Sequence, residues 1–124
     1  MERKFDLDDR LINFAASIID VSEAFPQTVA GRHIGGQLVR SGTAPALHYG
    51  EAQGGESRKG FIHKMKVALK ELRETYNCLR IIKKKNWYTA DPLAVIIDEN
   101  NQLISIFVKS IETARNNLDK DEQK

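Results

Sequence analysis

"SGTAPALHYGEAQGGESRKGF", Ser41 to Phe61, lies between two long segments with helical periodicity. It holds one proline, five glycines, two carboxylates and one histidine, a mixture that suits either a catalytic loop or a bent helix followed by a turn. Pro45 has no N–H and crowds the preceding turn, so a helix entering from the N-terminal side should kink or restart there. Gly54-Gly55 supplies the permissive backbone of a tight turn, and Ser57 is a ready N-cap for whatever follows. The stretch therefore reads as architecture.

Working outward, a segment from Thr28 carries Ile34, Leu38 and Leu47, with Gly35-Gly36 and Gly42 weakening it as a helix. On the C-terminal side a helix capped by Ser57 should run to about Lys85, with Phe61, Met65, Ala68, Leu69, Leu72, Tyr76 and Leu79 on one apolar stripe. Before Phe25-Pro26, Leu11, Phe14, Ala15, Ile18 and Val21 share one side of a helix capped by Asp6 or Asp8. After Trp87, Asp91-Pro92 reads as an N-cap with proline at the first helical position. Leu93, Ile96, Ile97, Leu103, Ile104, Phe107, Ile111 and Ala114 then align on one face. Period-two alternation is nowhere sustained. The chain is all-α, and short connections between four amphipathic helices imply an up-down-up-down antiparallel four-helix bundle.

The 124 residues, 41% of them hydrophobic and 29% charged, fit one domain over positions 1–124 with a solvated, disordered tail at about 119–124. The single Cys78 forms no internal disulfide, no apolar run nears the roughly 18 residues of a membrane span, and "MERKFDLDDR" lacks a signal-peptide core. The expected setting is soluble, reducing and cytoplasmic, with no membrane association.

Enzyme chemistry finds little support. "HYGE" places His48 and Glu51 three apart, the reverse of the Glu-x-x-His element of di-iron bundles, and the additional glutamate ligands have no evident source. His33, His48 and His63 have no partner at metal-ligand spacing, and "GRHIGGQ" lacks the Lys-Ser/Thr of a phosphate loop. Neither a metal nor a cofactor is expected, and no catalytic residue is assigned. Glu51, Glu71 and Glu74 fit a structural role better, pairing with Arg40, Arg73 or Lys70 to fix helix register.

Charge is the informative feature. Asp6 to Ala24 carries one basic residue against five acidic ones, whereas Ser57 to Lys85 carries ten against two. On a helical wheel Arg58, Lys59, Lys66, Lys70, Arg73, Arg80 and Lys84 fall within roughly 120° of one another, beside the apolar stripe. Lys83 and Lys85 extend this flank, and Trp87 and Tyr88 just beyond are candidate stacking groups. A solvated face ordinarily mixes signs, so a one-sign strip implies something anionic against it. That partner is either a nucleic-acid backbone or the acidic first helix of a neighbouring subunit. Apolar positions off the stripes, namely Ile12, Ile19, Val67, Cys78, Ile82, Val95 and Ile106, are the candidate subunit contacts.

The same central residues resemble the bacterial four helix bundle proteins first recognised in intervening sequences of large-subunit ribosomal RNA genes. One branch shows R-S-G-T-S-I-G-A-N-Y-R-E-A-Q, then E-S-x-x-D-F-I-x-K, then A-L-K-E-x-x-E-T. Here these read "RSGTAPALHYGEAQ" (Arg40 to Gln53), "ESRKGFIHK" (Glu56 to Lys64) and "ALKELRET" (Ala68 to Thr75). His48, Gly50 and Gly60 depart from the pattern's Asn, Arg and acidic residue, while Glu51, Glu71, Arg73 and Glu74 keep its residue types. The resemblance implies a four-helix bundle assembled as a ring-like homo-oligomer, often a homopentamer. It also implies kinship with the accessory protein of diversity-generating retroelements, which contacts nucleic acid and a reverse transcriptase. The expected function is non-enzymatic binding of RNA or DNA through the basic third helix, with a ring-forming scaffold for a protein partner as the alternative.

Overall fold

The structure, a computed structural model, describes residues 6–54 and 57–122. They form four helices, α1 (Leu7–Glu23), α2 (Val29–Ala52), α3 (Arg58–Lys85) and α4 (Ala90–Glu122). Among the described residues there is no strand, and no helix is long and apolar enough to cross a membrane.

Local chemistry accounts for the ends. Asp6 caps α1, its Oδ1 accepting the Asp9 N–H at 3.2 Å, and Asp8 and Asp9 complement the helix dipole in the first turn. Thr28 and Ser57 cap α2 and α3 in the same way, accepting the N–H groups of Gly31 and Gly60 at 3.0 Å each. The α3 C-terminus closes at Asn86, whose left-handed backbone (φ 57°, ψ 41°) lets its N–H reach Lys83 O while the Trp87 N–H reaches Ile82 O. These are the paired bonds of a Schellman turn.

Three expectations need correction. Of the kink or restart expected at Pro45, the restart does not occur: α2 runs through it. Pro45 is buried in the bundle, and the packing of α2 against both neighbours outweighs one lost backbone bond. α4 begins two residues early: the Leu93 N–H donates to Thr89 O, so Thr89 takes the N-cap place and Asp91 lies inside the first turn. Pro92 is tolerated there because the first N–H groups of a helix have no intrahelical partner to lose. α4 also continues to Glu122, so positions 119–122 are exposed helix rather than tail; Gln123 and Lys124 lie outside the described residues. The expected Gly54-Gly55 turn is half visible, with the Gly54 N–H on Glu51 O at 3.0 Å and Gly55 outside the described residues.

Antiparallel order follows from the cross-helix contacts. Gly42 of α2 lies against Ile18 of α1 and Gly35 against Phe25; Ser41 and Glu51 of α2 meet Thr75 and Lys64 of α3; Leu72 and Arg58 of α3 meet Asn100 and Asp121 of α4. Each consecutive pair packs along its length, whereas α1 and α4 touch over a short stretch. There Arg10 reaches Glu99 at 2.7 and 3.0 Å and Gln102 at 3.1 Å.

One apolar cluster draws on all four helices, with Leu11, Ile18, Leu38, Met65, Leu72, Leu79, Leu103 and Phe107 fully buried. A thin polar layer crosses it. The Thr75 hydroxyl lies 2.9 Å from both Ser41 Oγ and the Glu71 carbonyl, and Asn100 Nδ2 donates to Leu72 O at 3.2 Å. Leu47, expected in the core, is 67% exposed because Pro45, Ala46 and Ala52 fill the α2 contact at that level.

The glycines of α2 do more than weaken a helix. A Cβ on Gly31 would stand 2.0 Å from the Pro26 carbonyl oxygen, and one on Gly42 2.7 Å from Ile18. Gly31 thus lets α2 close against the turn leaving α1. Gly31→Ala is expected to cost at least about 1–3 kcal/mol, since backbone rather than a side chain must yield. Urea denaturation checks this; an unchanged midpoint would show that the turn gives way freely.

Candidate nucleic-acid interface

α3 packs between α2 and α4, and that position decides which of its residues remain outside. Its buried face is broader than one stripe, taking in Ile62, Met65, Ala68, Leu72, Thr75, Cys78, Leu79 and Ile82. Cys78 and Ile82 were expected at a subunit contact; both belong instead to the core of their own bundle, because a helix with two neighbours buries a wider arc. Burial raises the Cys78 thiol pKa, which leaves it protonated and unreactive. Val67 and Ile106 are half-buried, whereas Ile12, Ile19 and Val95 are exposed.

The outward face of α3 runs through Lys59, His63, Lys66, Lys70, Arg73, Asn77, Arg80 and Lys84, all exposed. From Lys59 to Lys84 it spans roughly 38 Å at 1.5 Å per residue. No acidic side chain of α3 itself interrupts it, for the two carboxylates of that helix are engaged elsewhere. Arg40 of α2 forks onto both: its Nη1 donates to the Glu71 oxygens at 3.0 and 3.1 Å, and its Nη2 donates to Glu74 and, at 3.0 Å, to Gln37. The Glu71 side chain retains only 16% exposure, so its charge requires this partner. Bonding to Glu74 and then Glu71 raises the Arg40 pKa. Glu74 is also the helical neighbour of Lys70 at i,i+4, and the fork takes its carboxylate to Arg40 instead.

The other expected ion pair forms differently. Glu51 takes Lys64 Nζ at 3.2 Å, with His48 Nδ1 at 3.7 Å, rather than Arg40, Arg73 or Lys70. Two cations of the strip are also answered within the chain: Arg58 Nε lies 3.0 Å from Asp121 and Lys59 Nζ 3.7 Å from Glu122 at the end of α4. All four of these side chains are well exposed, so the pairs contribute little. Among the described residues Lys66, Lys70, Arg73, Lys83, Lys84 and Lys85 have no ion pair.

The C-terminal end of the face adds aromatic surface. The Arg80 guanidinium lies 5.7 Å from the Tyr76 ring centroid and donates to Asn77 Oδ1 at 3.3 Å. Trp87, expected as a stacking group, is instead tilted against Phe25 at 5.3 Å and closes the end of the core. Tyr88 lines a small cavity beside Lys83 and Asn86.

The acidic end of α1 has a local explanation. Asp6, Asp8 and Asp9 bring carboxylate oxygens within 4.8 Å of one another, all exposed. Asp6 is committed as the cap, and its proximity raises the Asp9 pKa. Sequence reasoning missed the Arg10–Glu99 link, although a lone base in an acidic helix was the available signal.

Comparison with known proteins adds a family. No curated protein matches the chain. Among solved structures, a protein of unknown function from the S23 ribosomal protein family of Bacteroides thetaiotaomicron shares the fold. Its TM-score is 0.77 at 24% identity, over 86% of this chain and 98% of that one. The family model described as "23S rRNA-intervening sequence protein" matches residues 3–109, across all four helices. This chain belongs to the 23S rRNA-intervening sequence protein family.

Proposed function

We propose that the protein acts without catalysis, binding the phosphate backbone of RNA or DNA along the outer face of α3 with little sequence preference. One observation carries this reading: Arg40 engages both carboxylates of α3, leaving Lys66, Lys70 and Arg73 exposed beside one another with no negative partner among the described residues. Like charges at i,i+4 cost stability, as at Lys66 and Lys70, and a polyanion is the ligand that converts this cost into binding.

The test is a salt series. Each phosphate contact releases counterions, so Lys66→Gln, Lys70→Gln and Arg73→Gln together should flatten the log–log salt dependence of binding by about 2 to 3 units. Fluorescence anisotropy with labelled duplex and single strands measures it. Binding that is absent at low ionic strength, or indifferent to salt, refutes the proposal.

A second reading is favoured by Ile12, Ile19 and Val95, exposed at 50%, 40% and 70%. They suit a homo-oligomeric ring, pentameric in the resembling family, that serves as a scaffold for a protein partner. In such a ring the basic strip would meet a neighbour's Asp8, Asp9 and Asp20. Light scattering separates the readings: Ile12→Glu with Ile19→Glu should yield monomers in either case. The three Gln substitutions should dissolve the ring only if the strip lies between subunits.

A further inference from the structure

We propose that the cleft at the α3–α4 turn seats one unpaired nucleotide, so that the basic face of α3 prefers single-stranded or frayed nucleic acid to continuous duplex. The inference rests on the α3 reading above and adds the class of strand.

Two adjoining cavities lie at this turn, of about 530 and 190 Å³, and they share Lys83, Asn86 and Ile97. The larger is completed by Tyr76, Arg80 and Lys84, the smaller by Tyr88, Leu93 and neighbouring alanines. Among the described residues no carboxylate lines either one. The larger volume falls in the range of small-molecule sites, roughly 300–1,000 Å³.

Its lining matches the three parts of a nucleotide. Arg80 lies over the Tyr76 ring, so a planar cation and an aromatic surface stand together where a base would stack. Lys83 and Lys84 are exposed at the rim, in reach of the phosphates on either side of that base. Asn86 is fixed by the Schellman turn and brings an amide able to donate to and accept from a base edge.

A duplex cannot use this seat. Its ring faces are hidden in the stack, leaving it only the cations, whereas an unpaired base offers a free π-face. Trp87 takes no part because it is packed on Phe25. Tyr76 and Tyr88 are the aromatic groups left at the cleft.

The experiment compares fluorescein-labelled oligo(U) with an RNA hairpin duplex of equal nucleotide count, by anisotropy in one buffer. The wild-type chain should bind oligo(U) more tightly. Tyr76→Leu should weaken oligo(U) binding roughly 5- to 100-fold through loss of one stacking contact. It should change duplex binding by less than about twofold, since duplex contacts are ionic. Tyr76→Phe keeps the ring and should keep the oligo(U) affinity. Tyr88→Leu, which leaves α3 intact, should reproduce part of the loss if Tyr76→Leu impairs folding. Equal wild-type affinity for both probes, or equal losses on both in the Leu variants, overturns the seat while the basic-face reading stands. Binding to neither probe overturns both.

Discussion

A chain with Lys66, Lys70 and Arg73 all replaced by Glu is expected to lose nucleic-acid affinity by at least about 100-fold at moderate salt while keeping its helical content. Each reversal removes two units of charge, six in all, and carries the formal net charge from +2 to −4. At about 1 kcal/mol per charge beside an anionic surface, even half of that change gives such a loss. The fold should tolerate it, because all three side chains are exposed and have no ion pair among the described residues. Only Lys70→Glu adds a nearby like charge, at Glu74, worth a few tenths of a kcal/mol. Electrophoretic mobility shift and circular dichroism on one preparation check both halves. Retained binding by a well-folded triple variant would remove α3 from the interface.

Phe107→Ala is expected to cost about 3–5 kcal/mol. Phe107 is fully buried, and its ring meets the edge of Tyr49 at 6.3 Å, so truncation opens a cavity where α4 crosses toward α2. A domain of this length holds only about 6–18 kcal/mol against unfolding, so the loss takes from about a sixth to most of it. Leu47→Ala, at 67% exposure, serves as the control and should change stability by under about 0.5 kcal/mol. Urea denaturation of the two variants side by side gives the comparison. A Phe107→Ala cost near the control value would mean that the core repacks around the gap.

Caps and periodicity made much of the architecture readable in the chain itself. Asp6, Thr28 and Ser57 are cap residues in front of apolar periods, and each is an N-cap in the structure. What periodicity could not supply was the number of neighbours a helix has. A wheel drawn for α3 alone yields one stripe, but a helix held between two others buries an arc that reaches Cys78 and Ile82. The same limit hid the purpose of Gly31 and Gly42, whose missing side chains matter only once another segment lies against them. At the candidate interface, the strip was legible because helical geometry alone places Lys66, Lys70 and Arg73 together. The Arg40 fork onto Glu71 and Glu74 was foreseen as pairing, whereas Lys64–Glu51 depends on how far α2 and α3 overlap beyond the turn. Trp87 was misjudged because its neighbour Phe25 is remote in sequence.

The sparse α1–α4 seam bears on how the molecule forms and opens. Every extensive helix contact joins consecutive segments, so closing the bundle requires little loop entropy beyond that of short turns. Such local topology places folding in the microsecond-to-millisecond range. The Arg10–Glu99 link, 89 positions apart, spans most of the chain and has few supporting contacts. It should form last and release first. In native-state hydrogen exchange, amides of α1 are then expected to open with a lower free energy than those of α3, which is held on two sides. An α1 that detaches as a unit is also the segment most readily exchanged between copies of the chain.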